Sequence, residues 1–226
     1  QTTTIRLGMS VLVAPMRNAL VMAKELATID ALSDGRLIAG IGIGWNRVEF
    51  ESVGEGERFA HRGAWLEETV AMWRHLWSGQ TGPYEGRFDG WEEGYFSPLP
   101  PQGEDLPIWI GATANAALRR TGRIADGYHS TRTDPQMMRE RLGIIGEAAE
   151  AAGRPMPLAS TRLSVDFDGT RQGPSAVTGT PEAMAERLRA YRDAGTEHVA
   201  LDFGETDPDM AAKAIERFDR EVVPAV

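Results

Sequence analysis

Ile5-Arg6-Leu7-Gly8-Met9-Ser10-Val11-Leu12-Val13-Ala14, closed by Pro15, is the stretch that decides the fold. It is an apolar run of strand character with a breaker behind it. From about residue 19 to 31, Leu20, Ala23, Leu26 and Ala27 recur at helical spacing, with Asp30 on the same face. Ser33-Asp34-Gly35-Arg36 is a turn signal, and Leu37-Ile38-Ala39-Gly40-Ile41-Gly42-Ile43 is a second strand that ends at Gly44-Trp45. Strand, helix and strand in that order form a βα unit, and such units in series build a parallel sheet.

The alternation continues to the end of the chain. A long excursion, 46–102, carries an amphipathic helix over 61–76 with Trp65, Thr69, Met72, Trp73 and Leu76 near one face. A hairpin-like stretch follows at 83–96, and Pro98-Leu99-Pro100-Pro101 is a stiff connector. The third strand is Pro107-Ile108-Trp109-Ile110-Gly111, with a helix opening near Thr113, and the fourth is Gly127-Tyr128-His129-Ser130-Thr131. Asp134-Pro135 starts a helix that runs to about Ala152, before a fifth strand over 158–167 and a polar loop over 168–179. Thr180-Pro181-Glu182 opens a helix with Thr as cap and Pro at the first position, ending at Gly195. A sixth strand over 197–203 and a helix over 208–222 complete the chain. An eight-stranded barrel takes about 250 residues and eight units, so this chain falls two units short. With no repeat and no break in composition, residues 1–226 read as one domain.

Composition narrows the function. The 226 residues hold 24 Lys+Arg against 33 Asp+Glu, a net charge of −9, which argues against a nucleic-acid partner. Hydrophobic residues at 42% and charged residues at 25% are those of a globular domain. The absence of cysteine excludes disulfides, thiolate metal sites and cysteine nucleophiles, and it fits a cytoplasmic setting. No apolar run approaches the roughly 18 residues of a membrane span, and no signal-peptide pattern is visible in the opening residues given. The chain opens on Gln1-Thr2-Thr3-Thr4 and runs straight into a strand, so Gln1 reads as an interior residue of a longer protein.

In order along the chain, the string from Ile5 to Pro15, Ala27-Thr28-Ile29-Asp30-Ala31-Leu32-Ser33-Asp34-Gly35-Arg36-Leu37, Gly40-Ile41-Gly42-Ile43-Gly44-Trp45, Arg62-Gly63 and Tyr84-Glu85-Gly86-Arg87-Phe88 resemble the luciferase-like flavin and deazaflavin oxidoreductases. So do Pro107-Ile108-Trp109-Ile110-Gly111, Ala125-Asp126-Gly127-Tyr128 and Gly179-Thr180-Pro181-Glu182. The resemblance implies an α/β (β/α)8 TIM barrel with an insertion after the strand ending at Gly44. It places Ile5–Ala14 at the barrel's third strand, so that strands 1 and 2, about 70 residues at roughly 30 per unit, lie outside this sequence.

Sites in such barrels sit at the C-terminal ends of strands. Taken alone, Ser10-Val11 is an ordinary buried strand pair. The resemblance instead puts a bulge with a non-prolyl cis peptide there, with Val11 against the cofactor ring. Gly40, Gly42 and Gly44 leave space on one side of their strand, open to either a planar ring or a packed helix. By resemblance Ile43 and Gly44 edge the cofactor. Some sugar-phosphate dehydrogenases of the family carry a carboxylate where Trp45 stands, which argues against that substrate class. Gly111, Ala112, Thr113 and Ala114 join a strand to a helix start, a place suited to a phosphate, though a Thr there more often caps the helix. The resemblance gives this loop to the cofactor phosphate, with Ser130, Thr131 and Arg132 as helpers.

His129 ends a strand and is a candidate acid or base, although such a His is more often a packing residue. His61, His75 and His198 read as structural, and Glu67-Glu68, Glu92-Glu93, Asp166 and Asp168 read as solvated. No metal-ligand spacing is present. The catalytic His or carboxylate of many members lies at the end of the second strand, outside this sequence. The expectation is thus an oxidoreductase that transfers hydride between coenzyme F-420 and a small organic substrate, as a homodimer, with no membrane or nucleic-acid partner. FMN-dependent oxygen insertion is the alternative, and a flavin-binding relative without turnover is the non-enzymatic one.

Overall fold

The computed structural model describes residues 2–226, so the reading of Gln1 lies outside the described residues. The chain divides into two compact units: Gln1–Gly111 with Ile124–Asp126, and Ala112–Arg123 with Gly127–Val226.

In the first unit the opening apolar run is two short strands, β1 (Leu7–Gly8) and β2 (Leu12–Val13), instead of one. Both run parallel to β3 (Leu37–Gly42), with Leu7 opposite Leu37 and Leu12 opposite Ile41. On its other edge β3 pairs with β6 (Ile108–Gly111), Ile41 opposite Ile110. The strand stops at Gly42, two residues before the expected Gly44. Between β2 and β3 lies α1 (Ala19–Ser33), opened by Asn18, whose side chain accepts from the Val21 amide. The excursion holds α2 (Arg47–Ser52), α3 (Arg62–Trp77) and the hairpin β4 (Tyr84–Glu85) with β5 (Gly90–Trp91). Alternation sends Leu37, Ala39 and Ile41 into a core with α1 and α3. Trp65, Trp73 and Trp77 are buried in that core. The indole N–H groups of Trp73 and Trp77 donate to the carbonyls of Ala19 and Ala23, at 2.9 and 3.2 Å, so two residues one helical turn apart tie α3 to the same stripe of α1.

Two acids anchor this unit. Asp30 is fully buried, and its carboxylate accepts from the Leu37 amide (3.1 Å), the Gln102 amide (3.2 Å) and the Gln102 side chain (2.8 Å). That joins the end of α1 to the first residue of β3. Glu68, read from sequence as solvated, accepts from the amides of Arg87, Phe88 and Asp89 at 2.6–2.8 Å and so holds the turn of the hairpin.

The second unit contains α4 up to its last residue (Asn115–Ile124), β7 (Gly127–Ser130), α5 (Pro135–Ala151), β8 (Leu158–Asp166), β9 (Ala176–Thr178), α6 (Pro181–Asp193), β10 (His198–Asp202) and α7 (Pro208–Glu221). β7, β9 and β10 all pair with β8 in parallel. The expected polar loop 168–179 therefore contains a strand: Ser164 to Asp166 take Ala176 to Thr178 as partners, and Val177 is buried. Asp134, Thr180 and Asp207 cap the helices that follow them. Asp166, also read as solvated, organises the turn that returns to β9. It accepts from the amides of Asp168, Thr170 and Arg171 and from the Thr170 hydroxyl, at 2.5–2.8 Å. These donors, led by the Arg171 amide, hold its carboxyl down at about 2.

Asp30→Ala is expected to cost about 3 kcal/mol, since it orphans two amides, one of them on buried Leu37. Asp30→Asn, which keeps an acceptor, loses less; equal losses in urea unfolding would assign the cost to packing. Asp166→Ala frees the turn and speeds proteolytic cleavage within 168–175 at neutral pH. A depressed carboxyl stabilises above its unfolded value and is lost as the pH falls through the folded one. The unaltered turn therefore keeps its protection through mild acid and loses it only as the pH falls towards about 2. Cleavage as fast as in the variant at mildly acid pH contradicts this.

Candidate functional site

The end of β3 is shaped by three glycines, and the structure shows what approaches each of them. A Cβ on Gly40 would lie 1.7 Å from the Met9 carbonyl oxygen. One on Gly42 would lie 3.0 Å from Val11 Cγ2, and one on Gly44 2.7 Å from Val13 Cγ1 and 2.9 Å from Phe50 Cε2. At Gly40 and Gly42 the room is taken by the neighbouring segment, which steps along as residues 9, 11 and 13 against 40, 42 and 44, and at Gly44 Phe50 of α2 packs in as well. Within that segment the Ser10–Val11 peptide is cis, the geometry that the resemblance implied. This break separates β1 from β2. Ser10 is exposed, and Val11, Val13, Ile43 and Gly44 are half-buried.

Beyond the strand the backbone is held residue by residue. Gly44 has φ +70°, a left-handed conformation that suits glycine. Its carbonyl accepts from Arg62 Nε at 3.2 Å, and the Arg62 guanidinium lies 3.9 Å from the Phe59 ring centre. Arg58 donates to the carbonyls of Pro15 (3.3 Å) and Arg17 (3.0 Å), which fixes the chain after β2. Asn46 caps α2 by accepting from the Val48 amide at 3.1 Å. Trp45 stands between these fixed neighbours with 84% of its surface exposed. Gly111, the last residue of β6, pairs with Gly42.

In the second unit Ala112 is buried, and Thr113 and Ala114 are exposed. The Ala114 carbonyl accepts from the amides of Ala117 and Leu118, at 2.8 and 2.9 Å, which puts Ala114 at the cap position of α4. Its methyl group offers no acceptor to the first-turn amides, unlike Asp134, Thr180 and Asp207 at the other helices of this unit. Ser130 is buried and its hydroxyl donates to Thr161 Oγ1 at 2.8 Å, whereas Thr131 and Arg132 are exposed.

His129 is 5% exposed and shares a hydrogen bond of 2.8 Å from Nδ1 to Ser160 Oγ. Burial, with the charges of His198 and Arg162 beside it, pushes its imidazole down to about 4, so the ring is neutral at physiological pH. Ser160 Oγ lies 2.8 Å from His198 Nδ1 as well. Sequence reasoning missed Ser160 altogether, because only the strand register brings it between two imidazoles. His75 Nε2 lies 3.0 Å from the Gly82 carbonyl, and the His61 ring stands beside Phe88. Among the described residues no group of three His, Cys, Asp or Glu could hold a metal ion, and no helix is long and apolar enough to cross a membrane.

Comparison with known proteins follows the same lines. The family profile of luciferase-like monooxygenases matches residues 1–168. An F-420-dependent glucose-6-phosphate dehydrogenase of Microbacterium testaceum is 29% identical over 237 aligned positions, covering 96% of this chain and 70% of the relative. A solved F-420-dependent secondary alcohol dehydrogenase, in complex with an F-420–acetone adduct, superposes with a TM-score of 0.84 at 17% identity, covering 100% of this chain and 80% of that one. The FMN-bound oxygenating constituent of a Baeyer–Villiger monooxygenase from Pseudomonas putida gives 0.83 at 14% identity, covering 100% and 80%. At those identities the likeness shows the fold, the parallel α/β barrel of these enzymes. The barrel likeness and a family match over most of the chain agree: this protein belongs to the luciferase-like monooxygenase family and is an oxidoreductase.

Proposed function

We propose that this protein is a deazaflavin-dependent oxidoreductase that moves hydride between coenzyme F-420 and a small organic substrate. The observation that carries the reading is the close approach of Met9 and Val11 to Gly40 and Gly42, at the strand end where such barrels place their sites. The named relatives that use coenzyme F-420 support the choice of cofactor.

The residues present fit such a group. Val11, backed by Gly42, and Ile43 with Gly44 offer half-buried apolar surface for the face and edge of a flat ring. The second unit by itself offers Ala112, Thr113 and Ala114 at the start of α4, small residues whose neighbouring first-turn amides suit a phosphate. Ser130 contributes by holding the end of β7 to β8 through Thr161. When bound, the cofactor supplies the carbon that takes or gives hydride, and the chain supplies shape, exclusion of water and charge. Trp45, next to Gly44 and 84% exposed, adds an apolar surface that favours a substrate with apolar surface of its own.

Titrating the protein with F-420 and, separately, with FMN, and following the absorbance of each chromophore, tests the reading. F-420 is expected to bind, and Thr113→Glu to weaken it at least tenfold through a carboxylate set against the phosphate. An acid at a helix start leaves α4 as stable or more so, which separates lost binding from lost fold. Preference for FMN moves the protein to the oxygen-inserting alternative. Binding of neither, or unchanged affinity in Thr113→Glu, overturns the proposal or its phosphate end respectively.

A further inference from the structure

His129, Ser160 and His198 lie at one level of three adjacent parallel strands: His129 on β7 is the register partner of Ser160 on β8, and Ser160 of His198 on β10. Their side chains form a continuous line, Nδ1 to Oγ to Nδ1, with both separations 2.8 Å. Ser160 is fully buried and His129 nearly so, whereas His198 is exposed.

Proton counting constrains this line. The Ser160 hydroxyl has one proton to donate and lone pairs to accept. Lying between two Nδ1 atoms, it donates to one and receives from the other, so one imidazole carries hydrogen on Nδ1 and the other does not. A protonated imidazole donates from both nitrogens. Charging His198 therefore points its Nδ1–H at Ser160, turns the hydroxyl towards His129, and fixes His129 as the tautomer with hydrogen on Nε2.

We propose that His198, Ser160 and His129 form a proton relay that ends at buried His129. In one passage the His198 Nδ1–H bond breaks as a new O–H bond forms on Ser160, and the former Ser160 proton passes to His129 Nδ1. His198 is left neutral with hydrogen on Nε2, and His129 becomes the imidazolium. Proton number and charge are conserved, and no other reactant is needed. The charges that act on His129 are those of Arg162 on β8 and of His198 itself, and the Arg162 guanidinium is paired with Asp202 of β10 at 2.6 Å. Burial lowers both imidazoles below their ordinary value, His129 to about 4, so the line rests neutral at physiological pH and His129 is the more reluctant to hold a proton. His129 and Ser160 are positioning residues in this scheme, and the relay is independent of which cofactor the chain takes.

Imidazole 15N resonances of the labelled protein test it. As His198 is titrated, His129 Nδ1 is expected to shift with the same midpoint and to show the unprotonated tautomer once His198 is charged. In Ser160→Ala the His198 titration persists and the His129 response is lost. Should Ser160→Ala fail to fold, His198→Phe, a change at an exposed position, is expected to abolish the His129 response over the same range. A His129 signal that stays flat while His198 titrates in the unaltered protein overturns the relay. So does an undiminished response in either variant, which would leave through-space charge as the only link.

Discussion

With the Met9 carbonyl 1.7 Å from where a side chain on residue 40 would begin, only glycine fits at that position. The rest of the strand-end architecture depends on this approach. Because Met9 sits over Gly40, the chain cannot continue as one strand, and β1 and β2 pair with β3 on either side of the break. Because strand side chains repeat every second residue, the contact propagates as Val11 on Gly42 and Val13 on Gly44. What looks like a glycine-rich strand with room to spare is a closely fitted pair of segments. Register between them is set by steric fit as much as by hydrogen bonds.

The same economy recurs where helices meet strands. Asp30 holds the end of α1 against the start of β3, and the indoles of Trp73 and Trp77 fix α3 along α1. The helices behind the bulge are therefore positioned by directional bonds as well as by apolar burial, which alone would tolerate sliding. In the second unit Tyr191 of α6 donates to the carbonyls of Thr133 and Pro174, joining the segments after β7 and before β9. Such bonds in dry surroundings are costly to break and leave few alternative packings.

Much of this was legible in the sequence, and the failures have common causes. Element order, the helix faces and the caps at Thr180 and ahead of Pro135 follow from periodicity and from residues whose preference is local. The split of Ile5–Ala14 was legible only through family resemblance, since its cause, Met9 against Gly40, joins residues 31 apart. β9 was missed because it is three residues long and lies in a polar stretch; pairing with β8, not composition, makes it a strand. Glu68 and Asp166 looked like surface acids because their partners are backbone amides, which have no letter in a sequence. The link from His129 through Ser160 to His198 depends on strand register, which a single sequence does not display. The glycine-rich strand end could be read as space, but not as space already taken.

The exposed indole of Trp45 has an optical consequence. Trp65, Trp73 and Trp77 are sealed in the core, and Trp91 and Trp109 are half-covered, so Trp45 alone among the six presents most of its surface to water. Its emission lies to the red of theirs and is the fraction that dissolved quenchers extinguish first. Because Gly44 and Asn46 hold its backbone, that fraction changes when something settles on the ring, not when the chain wanders. The protein thus carries its own fluorescent reporter at the mouth of the strand end, and a ligand with no colour of its own can be followed there without a label.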